Sequence, residues 1–182
     1  MIVCIIDLVP IITGMPVGLK QSSSVVAIGF GVDESAPNTF TQESVDLNLS
    51  PLDREVFVVL AVNLDPFTPE MTEGADSQVQ CSLTTTSQTQ VVNLSNANCL
   101  AASGYFIKGD GGANVSFAST AGETPPATLE YIGIIATNDF FIQVAGKGNT
   151  NVRGMDGKMY GYRAVASADI YAALVQSEVL SA

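Results

Sequence analysis

The chain has no histidine and no tryptophan, only three cysteines, and seven Lys and Arg against eighteen Asp and Glu. Each shortage excludes something. Without histidine there is no Ser-His-Asp triad, no Cys-His pair, no His-liganded zinc and no general base that titrates near neutrality unaided. The cysteines Cys4, Cys81 and Cys99 form no CxxC motif and are too few for a four-thiolate zinc site. Buried thiols are the expected state, and the spacing gives a Cys81–Cys99 bridge no support. Glycoside hydrolysis needs two carboxyls held about 5–9 Å apart, usually beside aromatic platforms, yet this chain has no Trp and only five Tyr. The few cations leave a net charge of −11, which disfavours nucleic acid because phosphates would be repelled by most of the surface.

What is present points to a packed domain. A chain of 182 residues with 47% apolar side chains is long enough for a real core. Only 14% of residues are charged, against about 25% in an average globular protein, so Ser, Thr, Asn and Gln cover much of the surface. The charge is uneven. Residues 1–100 hold eleven acids and two bases, a balance of −9, whereas residues 101–182 hold seven and five, a balance of −2.

The opening stretch "MIVCIIDLVPIITGMPVGLK" is apolar but lacks a basic n-region, and Asp7 and Pro10 interrupt any h-region, so no signal peptide is expected. Nor does a charge-free run long enough to span a membrane occur free of Pro and Gly. The sequons at Asn48, Asn93 and Asn114 are read as coincidental.

Strand signals dominate the remainder. Residues 25–32 read as β, and "SAPNTFTQES" as a polar loop. After a turn at Ser50-Pro51-Leu52-Asp53, Val56 to Val62 form a continuous apolar run, as expected of a central strand buried on both faces. Asp65-Pro66 ends it. Residues 77–92 alternate and predict a half-exposed strand pair, and Asn96–Ala102 a helical turn. A strand is expected at Val115–Ala118. In "TLEYIGIIATNDFFIQVAG", strands at 129–136 and 139–145 flank Thr137-Asn138-Asp139 and predict a hairpin. The tail changes period: Ser167 suits an N-cap, Asp169 complements the helix dipole, and Ile170/Leu174 and Tyr171/Val175 fall at i, i+4. The fold expected is an all-β antiparallel sandwich, jelly-roll favoured. Residues 1–24 form an N-terminal apolar arm or first strand, 25–166 the sandwich, and 167–182 a short amphipathic helix.

Two stretches carry the candidate sites. Asp65, Glu70, Glu73 and Asp76 lie in one acidic loop; calcium, which takes oxygen ligands from irregular loops, is the only cofactor they suggest. "GKGNTNVRGMDGKMYGYR" gathers four of the seven cations, Lys147, Arg153, Lys158 and Arg163. It lacks the order of a phosphate loop, and Arg153 occupies a ligand position of any calcium-loop reading. The plain reading is a solvated hairpin loop whose Lys and Arg discourage edge pairing. The sharper one sets a basic patch against a separate acidic one, complementary surfaces that join unlike faces of neighbouring copies. The apolar ends, Ile2, Val3, Ile5 and Ile6 among them, would lie against another subunit.

This texture, a His-free, Trp-free β-sandwich with an apolar arm and a terminal helix, resembles viral structural proteins of the single jelly-roll capsid or phage decoration type. The stretches nearest to it are "REVFVVLAVNLDP" and "TNDFFIQVAGKGN". The resemblance implies a non-enzymatic virion component, made in a host cytoplasm, whose partners are copies of itself and other structural proteins rather than a small-molecule substrate. It carries over no functional residue. An extracellular β-sandwich adhesin taking calcium at residues 65–76 is the alternative, and a carboxylate-based hydrolase the third reading.

Overall fold

The computed structural model describes residues 16–110, 113–119, 122–123 and 130–180. In chain order its strands begin with β1 (Leu19–Gln21), β2 (Val26–Asp33), β3 (Thr41–Asp46), β4 (Glu55–Pro66), β5 (Ser77–Thr84) and β6 (Cys99–Asp110). There follow β7 (Ala113–Ser119), β8 (Gly122–Glu123), β9 (Gly133–Ile135), β10 (Asp139–Lys147) and β11 (Gly154–Ala166), then a helix, α1 (Ala168–Leu180). Two antiparallel sheets face each other. In one, β1 and β2 share one side of β11, β11 pairs with β4, and β4 carries β8 and β9 on its far side. The other runs β3-β10-β5-β6-β7. The pairing is nested: β2 with β11, β3 with β10, β4 with β8 and β9, β5 with β6. That wrapping is a jelly roll.

The run at Val56–Val59 explains the layering. Phe57 and Val59 enter the space between the sheets with Leu83, Phe140, Ile142, Met155 and Met159, all at most 1% exposed. Val56 and Val58 point the other way and are equally buried, because Ile170, Tyr171, Leu174 and Val175 of α1 cover that outer face together with Leu19 and Tyr162. A strand buried on both faces needs apolar residues without alternation, and each valine contributes about 1.5–3 kcal/mol by leaving water. A bulge opposite Tyr160/Gly161 then shifts the phase of β4, so that Val62 and Leu64 continue the inner face. Gly161 is required there, since a Cβ would collide with the Val58 carbonyl and the Phe57 ring.

The helix is anchored as well as packed. Tyr171 N–H donates to the Ser167 carbonyl at 2.9 Å. In the last turn the buried Glu178 carboxylate accepts the N–H groups of Ala136 and Thr137, both at 3.0 Å. Burial pushes its pKa above the ordinary carboxylate range.

Four expectations are corrected. The polar stretch 35–44 is not all loop, since β3 starts at Thr41; as an edge strand it needs only Val45 against the core. Residues 77–92 hold one strand, not two. Ser82 and Thr84 of β5 are buried because residues 85–98 fold back as a strap over the outer face, whereas Ser77, on the side of Val79 and Cys81, is buried where its hydroxyl donates to the Glu70 carbonyl. The helical turn expected at Asn96–Ala102 is instead a single turn, closed by Cys99 N–H on the Asn96 carbonyl at 3.0 Å, that leads into β6, where Ala101 is fully buried. The hairpin at 129–145 does not form: β9 pairs with β4 in one sheet and β10 crosses to the other. Glu178 claims the N–H groups at the crossing, which holds that connection to the helix.

Candidate interaction surfaces

At one end of the sandwich three loops are tied together by buried polar groups. Glu34, 3% exposed, accepts backbone N–H groups from Gly146 at 2.5 Å, Arg153 at 3.0 Å and Asn38 at 3.3 Å. Asn149, also buried, exchanges hydrogen bonds with Asn38: its N–H donates to Asn38 Oδ1 at 2.8 Å, and its carbonyl accepts Asn38 Nδ2 at 2.7 Å. Its own amide donates to the Gln78 carbonyl at 3.0 Å and accepts Glu70 N–H at 2.9 Å. Asn38 adopts the left-handed conformation this turn requires (φ 60°), which Asn tolerates better than most side chains.

The acidic loop meets the basic stretch here. Glu70 receives Arg153 Nη2 at 2.6 Å, Asn151 Nδ2 at 2.5 Å, Thr150 N–H at 2.6 Å and the Thr150 hydroxyl. The Thr150 hydroxyl and Asn151 amide, with the Thr150 N–H and Arg153, hold its pKa down to about 2. Asp76 accepts Lys108 Nζ at 2.5 Å and Gly109 N–H at 3.1 Å, and the lysine bond is the main reason its pKa is lowered. Opposite charges predicted to lie on separate faces are therefore joined within one molecule, which corrects the expectation of two segregated patches.

Nor do the four cations share one surface. Lys147 ends β10, exposed. Lys158 is exposed on the outer face of the first sheet, level with Asn63. Arg163 lies ten residues beyond Arg153 along β11, about 33 Å at 3.3 Å per residue. There it donates to the Leu47 carbonyl at 2.8 Å and faces Glu55 at 4.0 Å. Asp65 sits at the end of β4 opposite Asp156, and Glu73 is exposed in the loop. Among the described residues no three His, Cys, Asp or Glu side chains converge as a metal site. Ile2, Val3, Ile5 and Ile6 lie outside the described residues. Cys81 and Cys99 are not bridged to each other; burial pushes the Cys81 thiol up to about 12.

Sequence reasoning missed Glu34, Glu178 and Gln143. Gln143 is fully buried on the outer face of β10, where it accepts Ser82 Oγ at 2.8 Å and donates to Thr84 Oγ1 at 2.7 Å and Gln42 Oε1 at 3.1 Å. Gln42 in turn takes the strap's Gln88 N–H at 2.7 Å. An amide in a strand that reads "DFFIQVAGK" offers one signal, a polar break in an apolar run.

The sheet edges are the remaining surface. Among the described residues β2 leaves one side unpaired, and Val26–Val32 contains no charge and no proline. Ala27, Gly29 and Gly31 are exposed along it, as are Val25 and Val26 beside it. Behind this edge, Val26, Ile28, Leu47 and Phe57 form the apolar part of a groove of about 420 Å³ whose remaining walls are Ser23, Asp46, Asn48 and Arg163.

No family model matches the chain, and no curated protein does. A solved structure from Desmodium yellow mottle tymovirus is similar over 89% of this chain and 99% of that one, at 13% identity and a TM-score of 0.27. Agreement at that level transfers neither residues nor activity. No helix among the described residues is long and apolar enough to cross a membrane.

Proposed function

We propose that this chain is a non-enzymatic structural subunit of a virion, a capsid, shell or decoration component, that assembles edge to edge with copies of itself and with other structural proteins. One observation carries the reading: among the described residues β2 is an unpaired edge strand, free of charge and proline from Val26 to Val32. Edge strands present unpaired N–H and C=O groups, and proteins that remain monomers usually protect them with Lys, Pro, a bulge or a covering loop. Here Ala27, Gly29 and Gly31 keep the edge flat, and the apolar part of the groove behind it offers side-chain burial beside the backbone pairing. The jelly roll is a common frame for capsid subunits, although the fold alone decides no function. In this reading the apolar arm bearing Ile2, Val3, Ile5 and Ile6 is a second contact. Arg153 and Arg163, already engaged within the chain, contribute less than the edge, and exposed Lys147 and Lys158 steer association.

Light scattering coupled to size exclusion, with electron microscopy, tests this on the full chain. The expected result is a discrete assembly well above 19.0 kDa. Ala27→Lys combined with Gly29→Lys places two charges on the edge; a Cβ at Gly29 meets nothing within 4 Å, so the fold should tolerate it. That variant should run as a monomer. A wild-type chain that stays monomeric at every concentration and salt, or a double variant that assembles unchanged, overturns the proposal.

A further inference from the structure

The outer face of the five-stranded sheet is divided. The strap at 85–98 covers the half carrying Gln42, Gln143 and Ser82 and leaves the other half open. Register fixes what the open half presents, because directly opposed residues share a face. Gln78 lies opposite Phe106, and Phe106 opposite Phe117, which is 57% exposed. One row further on, Gln80 lies opposite Gly104. The Phe106 ring leans over Gly104, its edge 3.1 Å from where a Cβ would lie, and beside it is a slot of about 150 Å³ walled by Phe106, Gln80 and the strap's Val91 and Val92. It opens onto a cleft of about 480 Å³ lined by Gln80, Gln90, Asn93 and Asn96.

Charge is confined to one end of this surface. No Asp, Glu, Lys or Arg occurs between Asp76 and Lys108, so neither the slot nor the cleft contains a charge. A side-chain amide carries both a donor and an acceptor, the combination that matches a hydroxyl group, although Asn96 already gives its NH₂ to Gln88 Oε1 at 3.4 Å and accepts Asn98 N–H at 2.9 Å. Asn93 Oδ1 is occupied by the Ser95 N–H at 2.9 Å and by the Ser95 hydroxyl, which aims its NH₂ outward. The phenyl faces of Phe106 and Phe117 supply an apolar platform beside these amides. An anionic ligand would find no cation in the slot and a chain of net charge −11 around it; a metal ion would find no carboxylate.

We propose that this open half-face is a binding site for a neutral oligosaccharide, with one sugar ring in the slot beside Phe106 and its hydroxyls on Gln80, Gln90 and Asn93. The inference goes beyond the assembly role and does not depend on it. Lys147 stands opposite Gln78, and with Lys108 and Asp76 it lines a hollow on the loop-end side of Phe106; none of the three lines the slot.

Saturation-transfer NMR on the full chain, which works for a monomer or a particle, is the test. Maltotriose, cellotriose and triacetylchitotriose serve as neutral probes to about 10 mM, where a weak site still fills. Sialyllactose and a sulfated heparin hexasaccharide are the charged controls. At least one neutral probe should receive saturation and bind better than either control. Phe117→Ala and Gln90→Ala, both at exposed positions, should each weaken it by about tenfold, with circular dichroism and assembly state unchanged. Failure of all three neutral probes, stronger binding of a charged control, or undiminished transfer in both Phe117→Ala and Gln90→Ala overturns the proposal. So does loss of assembly in Phe117→Ala with saccharide transfer intact, since the face would then be a contact between subunits.

Discussion

Replacing Glu34 tests whether buried carboxylates hold the loop end together. Its two shorter bonds, at 2.5 and 3.0 Å to the Gly146 and Arg153 N–H groups, are charge-assisted and shielded from water, while the bond to Asn38 N–H at 3.3 Å is weaker. Hydrogen bonds to charged groups contribute about 1.5–3 kcal/mol each, and a buried donor left without a partner costs about 1–3 kcal/mol. Glu34→Ala removes all three acceptor contacts at once. Water entering the vacated space recovers part of the loss, so the net cost should be about 3–4 kcal/mol. Glu34→Gln keeps the shape and one acceptor oxygen but turns an NH₂ toward an N–H, for a cost of about 2 kcal/mol. In a chain of this size 1 kcal/mol corresponds to about 2–4 °C in Tm. The alanine variant should therefore melt about 6–16 °C lower and the glutamine variant about 4–8 °C lower. Differential scanning calorimetry and urea titration report both. A loss below about 0.5 kcal/mol in Glu34→Ala would show that these loops hold their positions without the carboxylate.

Three further outcomes follow from the same geometry. Glu70 has a folded pKa of about 2 against 4.5 when unperturbed, so the unfolded chain binds more protons between these values; its stabilisation is complete above about 4.5 and is lost as pH falls toward 2. Thermal melts from neutral pH to acid should thus separate wild type from Glu70→Gln, the wild type losing more over this window, and parallel curves would contradict the assignment. The Cys81 thiol, raised to about 12, should resist iodoacetamide at pH 8 in the native protein and react once urea unfolds it, as read from the mass of its peptide. Gly161→Ala should cost about 1–3 kcal/mol through overpacking at the bulge, and a variant as stable as wild type in urea would show that the bulge has room.

The parts of the fold written in local pattern were legible. Continuous apolar character at Val56–Val62 requires cover on two faces, and the amphipathic tail with Ile170, Tyr171, Leu174 and Val175 is the element that supplies one of them. The parts decided by long-range pairing were not. Strands β9 and β10 have the length and turn residues of a hairpin, yet local signals do not say that the sheets part at Thr137, because the deciding group is the Glu178 carboxylate about forty residues away. β3 escaped notice because an edge strand with one inward apolar residue has almost no hydrophobic period. The alternation over 77–84 was real, but two of its outward polar residues, Ser82 and Thr84, are buried under a strap that no local rule predicts.

The candidate site failed to be legible for a related reason. Charge counted along the chain suggested an acidic half seeking a basic stretch on a neighbour, whereas the nested wrapping brings residues 34–38, 70–76 and 146–153 to the same end of one molecule. Carboxylates there meet backbone N–H groups and the few available cations at home. With so few cations, pairing Arg153 to Glu70, Arg163 to the Leu47 carbonyl and Glu55, and Lys108 to Asp76 leaves Lys147 and Lys158 as the exposed basic side chains along the 146–163 stretch. What remains for contact with other molecules is largely uncharged: a flat β2 edge and an amide-and-phenyl sheet face. Surfaces of that kind associate by backbone pairing, apolar burial and hydroxyl recognition, all weakly sensitive to ionic strength. Salt should accordingly leave the assembly nearly unchanged, whereas a subunit joined through Arg and Glu contacts would dissociate as salt rises.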